Sequence, residues 1–341
     1  MHVRARRRTS KDGDDHDDQI RIDVVSQHQN AACARMLAVE YPLVRASIRA
    51  VERAQTVQEE QCHRDRDRDR LPCIELDALK ARVPIEKERV GPRMWEHRIN
   101  RAPIATGSRN GLKTRAYHKL KEILLSCAID PPSMSVHLCE APGAFVLATA
   151  EAVAPSAAPW TWIAFTLLDV HAPVPMHELP MESGRFVYCD VRDYDKCVAH
   201  IAHRGTACLV TADGATDMDH ANIEDDHIEL VLAQTRVAVF CLRKGGTYVL
   251  KFFEGRARHT RKCIAWLTTV FDGGVSIIKP TSSRPTNSER YLVARGFVGG
   301  KVELPQLHTL VVADEWYADV DLVVDCMLQE QIKQLRHLLR S

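Results

Sequence analysis

Residues 136–145 read V-H-L-C-E-A-P-G-A-F, and the fold turns on them. A short apolar run ends in an acid, turns through Pro-Gly and enters a stretch rich in Ala, Val and Leu over residues 144–153. That order predicts a strand, a tight turn and a helix. A second helix-like run, residues 114–127, comes just before. In an open α/β sheet such a turn lies at the carboxyl end of its strand, where ligands bind. Gly143 has no Cβ to hold a ligand off the backbone, and the start of the next helix carries N–H groups without helical partners. A plain packing turn would read the same way, so the rest of the chain has to decide.

Downstream, apolar runs predict strands at residues 161–168, 185–189, 207–212, 247–253, 275–278 and 291–294. Helical patterns fall between them at 226–242 and 260–271, with a last one at 319–339 and a short apolar run at 309–312. Strands alternating with helices predict a doubly wound α/β sheet with helices on both faces. Upstream, residues 93–128 are strongly basic, and residues 31–58 suggest two short helices interrupted by Pro42. The R-D repeat at 64–70 reads as an exposed linker. The first 18 residues hold almost nothing to bury and are expected to be disordered. Within them R-A-R-R-R, residues 4–8, reads as a solvated tail before it reads as a nuclear address. These shifts divide the chain into a partly disordered, partly helical extension (1–80), a sheet domain (81–300) and a C-terminal strand and helix (301–341).

With 341 residues, 45% of them apolar, the chain can bury a sizeable core in one large or two modest domains. A net charge of +1 argues against a uniformly basic coat, but not against a local basic face. Eleven cysteines without a C-x-x-C pair argue against a zinc site or a disulfide framework. They fit buried free thiols in a reducing compartment. No stretch is long enough to cross a bilayer, so an intracellular protein of the nucleus or cytoplasm is expected.

Three acids, Glu140, Asp190 and Asp213, fall just past apolar strands and should share one rim of a parallel sheet. Carboxylates there can accept hydrogen bonds from a ribose or an adenine amino group. The G-x-G-x-x-G pattern of dinucleotide sites is absent near residue 140. A nucleoside without phosphates is therefore the better ligand, and S-adenosylmethionine is the common cofactor of that kind. Lys251 sits inside the apolar run T-Y-V-L-K-F-F, and lysine is seldom buried unless paired or functional. Glu289, at the end of a polar loop, could face the same rim.

Taken in order, K-x-K-E-I-L, H-L-C-E-A-P-G-A-F, L-V-T-A-D-G, G-G-T-Y-V-L-K-F-F and S-R-P-T-N-S-E-R-Y-L-V resemble the FtsJ-like ribose 2′-O-methyltransferases. The C-E-A-P-G-A-F and S-R…N-S-E forms are most similar to the eukaryotic and viral branch that acts on mRNA caps. The resemblance covers roughly residues 93 to 300. It implies a Rossmann-like fold with a seven-stranded, mostly parallel sheet, S-adenosylmethionine as cofactor, capped mRNA as partner and no metal. It also implies a Lys-Asp-Lys-Glu tetrad formed by Lys119, Asp213, Lys251 and Glu289, with Lys113 and Lys121 lying close to the first lysine. The cofactor turn would be Glu140, Ala141, Pro142, Gly143, Ala144 and Phe145, with Asp190 toward the adenine and Asp213 alongside. Thr166 stands where many relatives carry an acid for the ribose hydroxyls, and Asp169 is a stand-in. Lys251 would take up or stabilise the proton leaving a 2′-OH, Lys119 would steady the alkoxide, and Glu289 would orient the lysines. Arg256, Arg258, Arg284 and Arg290 would meet RNA phosphates. Trp95, Trp160 and Trp162 could stack on a base, although packing is the commoner role for such residues. The same chemistry on ribosomal or transfer RNA, or an RNA-binding module without catalysis, remain the alternatives.

Overall fold

The strand–turn–helix unit read from residues 136–145 forms where expected, as strand β3 (Met134–Leu138) and helix α4 (Ala144–Val153). In the computed structural model, residues 3–7, 20–24, 73–99, 113–156, 159–167, 179–215, 223–284, 286–306 and 314–340 are described. The helices expected at 31–58, the R-D repeat and the run at 309–312 lie outside them, as does Asp169. Among the described residues no helix is long and apolar enough to cross a membrane.

Seven strands make the body of the sheet. Besides β3 they are β4 (Thr161–Thr166), β5 (Gly184–Tyr188), β6 (Ala207–Ala212), β7 (Leu242–Phe253), β8 (Val275–Ile278) and β9 (Glu289–Arg295). Their order is β8-β9-β7-β6-β3-β4-β5. The five from β7 to β5 run parallel, while β9 is antiparallel to β7 and β8 to β9. The chain moves outward from β3 through β4 and β5, then returns to β6 on the other side of β3. That reversal opens a crevice at the carboxyl ends of the strands. The expected seven-stranded, mostly parallel sheet is present.

Two more strands, β1 (Val3–Arg7) and β2 (Ile20–Val24), lengthen the β8 edge, with β1 pairing antiparallel to both β8 and β2. Strand β1 falls within the 18 residues expected to be disordered, and β2, I-R-I-D-V, carries an apolar alternation too short and too charged to stand out. An open edge of main-chain N–H and C=O groups accepts them regardless of side chain.

Helices cover both faces. Helix α3 (Arg115–Ser126) buries Tyr117, Leu120, Ile123 and Leu124 at helical spacing. With α4 it packs on Leu209, Val249, Tyr291 and Val293 of the sheet. The opposite face, with Val210, Tyr248, Leu250 and Leu292, is covered by α6 (Ile223–Cys241) and α7 (Arg258–Val270). The same core takes in Leu76 and Leu79 of α1 (Ile74–Val90), Trp95 of α2 (Pro92–Ile99) and Val324, Leu328 and Leu335 of α8 (Asp314–Arg340). A short helix, α5 (Tyr194–Ala199), joins β5 to β6. Trp95, Trp160 and Trp162 are all buried, so they pack rather than stack on a ligand.

The β4–β5 pair sets a tight steric limit. Gly184 faces Trp162, and a Cβ there would lie 2.3 Å from the Trp162 carbonyl oxygen and 2.4 Å from its ring. Backbone cannot yield as a flexible side chain can. Gly184→Ala should therefore destabilise the protein by about 1–3 kcal/mol, measured by denaturant unfolding. An unchanged midpoint would contradict this packing.

Candidate active site

Pleat and register bring the site together. Leu250 pairs with Ala212, and Lys251 pairs with Tyr291 on the other side of β7, so Asp213, Lys251 and Tyr291 stand in line across three strands. Side chains alternate between faces, which puts Lys251 with Val249 on the α3–α4 side and Glu289 with Tyr291 on that same side. Lys119 precedes the buried Leu120 on α3 and reaches down beside the apolar stripe.

Two ion pairs result. Lys119 Nζ lies 2.5 Å from Glu289 Oε1, with both side chains largely buried. Lys251 Nζ lies 3.2 Å from Asp213 Oδ1 and donates to the Asp213 carbonyl at 2.6 Å. Burial alone would raise the Glu289 carboxyl, but Lys119, Lys251 and Lys279 outweigh it and hold it below its ordinary value. The neighbouring lysines are engaged elsewhere: Lys113 pairs with Glu151 at 2.8 Å, and Lys121 with Glu151 and the Tyr117 hydroxyl. Of the three basic candidates on this helix, Lys119 is the one at the site.

Sequence reasoning missed two groups here. The Tyr291 hydroxyl donates to Asp213 Oδ1 at 2.7 Å, and burial followed by the Asp213 charge pushes its pKa up. Its spacing of two from Glu289 is the signal that could have found it. Lys279, half-buried, donates to the carbonyls of Asn287 at 2.6 Å and Glu289 at 3.3 Å. Burial and then Arg290 bring its pKa down to about 7.

The turn at 140–145 differs in detail from the expectation. Glu140 is only 3% exposed, and its Oε1 accepts from the N–H groups of Phe145 at 2.6 Å and Val146 at 3.3 Å. Its carboxylate therefore caps α4 from beneath, where the sequence suggested free N–H groups and a ligand contact. Phe145 and Ala144 are likewise buried, while Ala141 and Pro142 face outward. What the turn offers a ligand is its backbone. Gly143 has φ +113° and packs so closely on Leu179 that a Cβ would come within 2.7 Å of it.

Asp190 lies half-exposed past β5, held by Arg192 through its backbone and guanidinium N–H groups at 2.6–3.0 Å. The Arg192 hydrogen bonds keep its carboxyl below the usual range. Beside it, Leu167 and Tyr188 expose apolar surface at the ends of β4 and β5. Thr166 is buried, its hydroxyl directed at the Leu167 carbonyl. A carboxylate acceptor beside an apolar shelf suits a nucleoside.

Two of the arginines assigned to RNA are structural. Arg290 is fully buried and bonds the Ser288 carbonyl at 2.9 Å and Gln331 at 3.3 Å. Arg256, also buried, pairs with Asp77 at 2.7 Å and Glu254 at 3.3 Å. Charge type alone suggested phosphate contacts, but neither guanidinium reaches the surface. Arg258 and Arg284 are exposed, and Arg284 stands 3.8 Å from Glu96 of α2.

Fold and site together define an α/β domain with a nucleoside-type rim and two buried lysine–carboxylate pairs. Residues 112–297 match the FtsJ-like methyltransferase family, and the chain belongs to it. A cap-specific mRNA (nucleoside-2′-O-)-methyltransferase of Autographa californica nuclear polyhedrosis virus is 39% identical over 92 residues, 26% of this chain and 35% of that protein. The cap-specific mRNA (nucleoside-2′-O-)-methyltransferase 2 of Danio rerio is 29% identical over 238 residues, 59% of this chain and 30% of that one. A ribosomal RNA large subunit methyltransferase E from a Bradyrhizobium species is 30% identical over 223 residues, 63% of this chain and 90% of that one. The chain thus spans 35% and 30% of the length of these two cap-specific relatives.

Burial pushes the Glu140 carboxyl up to about 8, against an ordinary value of 4.5, although the Phe145 N–H works the other way. Between those values the folded protein holds a proton that the unfolded chain has released. This group's contribution to stability is full below pH 4.5 and is lost as pH rises toward about 8. Glu140→Gln keeps an acceptor for the Phe145 N–H without titrating. The melting temperature of the variant relative to wild type should therefore climb across that window. A difference independent of pH would contradict the burial described.

Proposed function

We propose that this protein transfers a methyl group from S-adenosylmethionine to the ribose 2′-OH of a cap-proximal nucleotide of mRNA. The observation that carries the reading is the convergence of Lys119–Glu289 and Lys251–Asp213 on one rim. The cap-specific relatives and the S-R-P-T-N-S-E loop support capped mRNA as substrate. Near-complete coverage of the shorter ribosomal RNA methyltransferase favours uncapped structural RNA as the second reading.

The cofactor would lie over the backbone of residues 141–143, with Asp190 and the Leu167–Tyr188 shelf at its nucleoside end. It supplies a methyl group carried on a sulfonium. The chain's own residues do the rest. Asp213 grips Lys251 through both its carboxylate and its carbonyl, which fixes the amine at one point. From there the Lys251 ammonium would donate a hydrogen bond to the 2′-oxygen and stabilise the charge developing on it, while the 2′-OH proton passes to solvent. Lys119 offers positive charge to the developing alkoxide, and Glu289 holds Lys119 in place. Fixed donors in a site this dry act more strongly than the same groups in water. Arg258 and Arg284, exposed, would meet phosphates at the surface, Arg284 by exchanging its loose pair with Glu96, and protein partners of the capping or transcription machinery are compatible with the exposed α2 side.

Lys251→Met should abolish methyl incorporation into a short capped RNA, by about 100-fold or more, while RNA still binds. Capped RNA should be labelled and its uncapped twin should not; equal labelling would favour the second reading. Normal turnover by Lys251→Met would remove Lys251 from the chemistry. In salt titrations of RNA binding, Arg284→Ala should lower the slope of log K against log salt by about 1. Arg290→Ala should instead lower the melting temperature and leave the slope alone. The reverse pattern would contradict the burial of Arg290.

A further inference from the structure

Glu289 opens β9, at the end of a loop that holds it through contacts from outside the 112–297 family region. Ser288, just before it, accepts from Lys80 Nζ of α1 at 2.6 Å and donates to Glu254 at 3.0 Å, and Lys80 also pairs with Glu254. On the other flank Gln331 of α8, fully buried, uses both ends of its amide. Its Nε2 donates to the Asn287 carbonyl at 3.3 Å, and its Oε1 accepts from Arg290 at 3.3 Å. Inside the loop, Asn287 Oδ1 accepts from the Glu289 N–H at 2.8 Å. The two flanking helices are tied to each other by Arg336–Glu75 and to the domain by Arg256–Asp77 and Arg261–Asp321.

We propose that Lys80 and Gln331, contributed by helices α1 and α8 on either side of the family domain, are positioning residues that hold Glu289 in register with Lys119. The physical case is one of tolerance. A carboxylate acts on a buried lysine only within a few tenths of an ångström, and a loop pinned at one end alone lets it swing. Lys279 and the sheet pin residues 287–289 from below. Lys80, turned to Ser288 and Glu254, and the fully buried Gln331 pin residues 287, 288 and 290 from the sides. Their effect would reach the chemistry only through Glu289. The inference rests on the tetrad assignment given under Proposed function.

Single-turnover methyl transfer to capped RNA tests it, in wild type, Lys80→Met, Gln331→Leu, Glu289→Gln and the two double variants carrying Glu289→Gln. Lys80→Met and Gln331→Leu should each lower the rate about 10-fold, with KM for RNA and Kd for S-adenosylhomocysteine nearly unchanged. In the Glu289→Gln background neither should cost anything further, because the group they position is already disabled. Should Gln331→Leu fail to fold, the partly exposed Lys80 provides the same comparison. Full activity of both single variants, or losses that simply add to that of Glu289→Gln, would overturn this proposal while leaving the tetrad standing. A fully active Glu289→Gln variant would overturn the tetrad assignment and this proposal with it.

Discussion

Everything at the rim depends on burying two positive and two negative charges side by side. A lone ammonium or carboxylate so enclosed would be driven neutral or out into water, and removing one partner of such a pair costs about 3–5 kcal/mol. Lys119 needs Glu289, and Lys251 needs Asp213. Each pair joins elements far apart in the chain, a helix to the start of β9 and the end of β6 to the middle of β7. The fold and the site are thus conditions of each other.

The sheet makes that arrangement repeatable. Because side chains alternate along a strand, a register shift of one residue would send Lys251 into the apolar layer of α6 and α7. The match of Leu250 to Ala212 and of Lys251 to Tyr291 prevents it, backed by Tyr248, Leu250 and Leu292 on the opposite face. The antiparallel return of β9 beside β7 then brings Glu289 to the same rim that the parallel strands open. A wholly parallel sheet would carry the start of that strand to the far end.

Much of this was legible before any coordinates. Apolar runs before Glu140 and Asp213 marked β3 and β6, since a strand buried on both faces has little else to be made of, and a shorter run before Asp190 marked the half-exposed edge strand β5. The helix after Gly143 was readable to the residue, and the four charged positions followed from the order of motifs. Other features were hidden for physical reasons. In α1 the apolar residues Leu76, Leu79, Val83 and Ile85 share space with Pro84 and many charges, so no clear stripe signals the helix. Strand β7 begins at Leu242, before Gly245 and Gly246, because pairing with Ala207 outweighs the weak propensity of glycine. The arginines were the main misreading: Arg256 is held by Asp77 and Glu254 and Arg290 by the Ser288 carbonyl and Gln331, and a sequence does not distinguish a guanidinium held by protein from one held by phosphate. Gln331 carried no signal at all, since its importance lies in what its two amide ends touch.

The central claim is that these four charges act on a ribose hydroxyl. It is tested most directly with two capped RNAs identical except that the cap-proximal nucleotides carry either a 2′-OH or a 2′-deoxy sugar, each incubated with labelled S-adenosylmethionine. The account predicts incorporation into the first, recovered on the sugar after digestion to nucleosides, and none into the second. Equal labelling of both RNAs, or label recovered on a base, would contradict it.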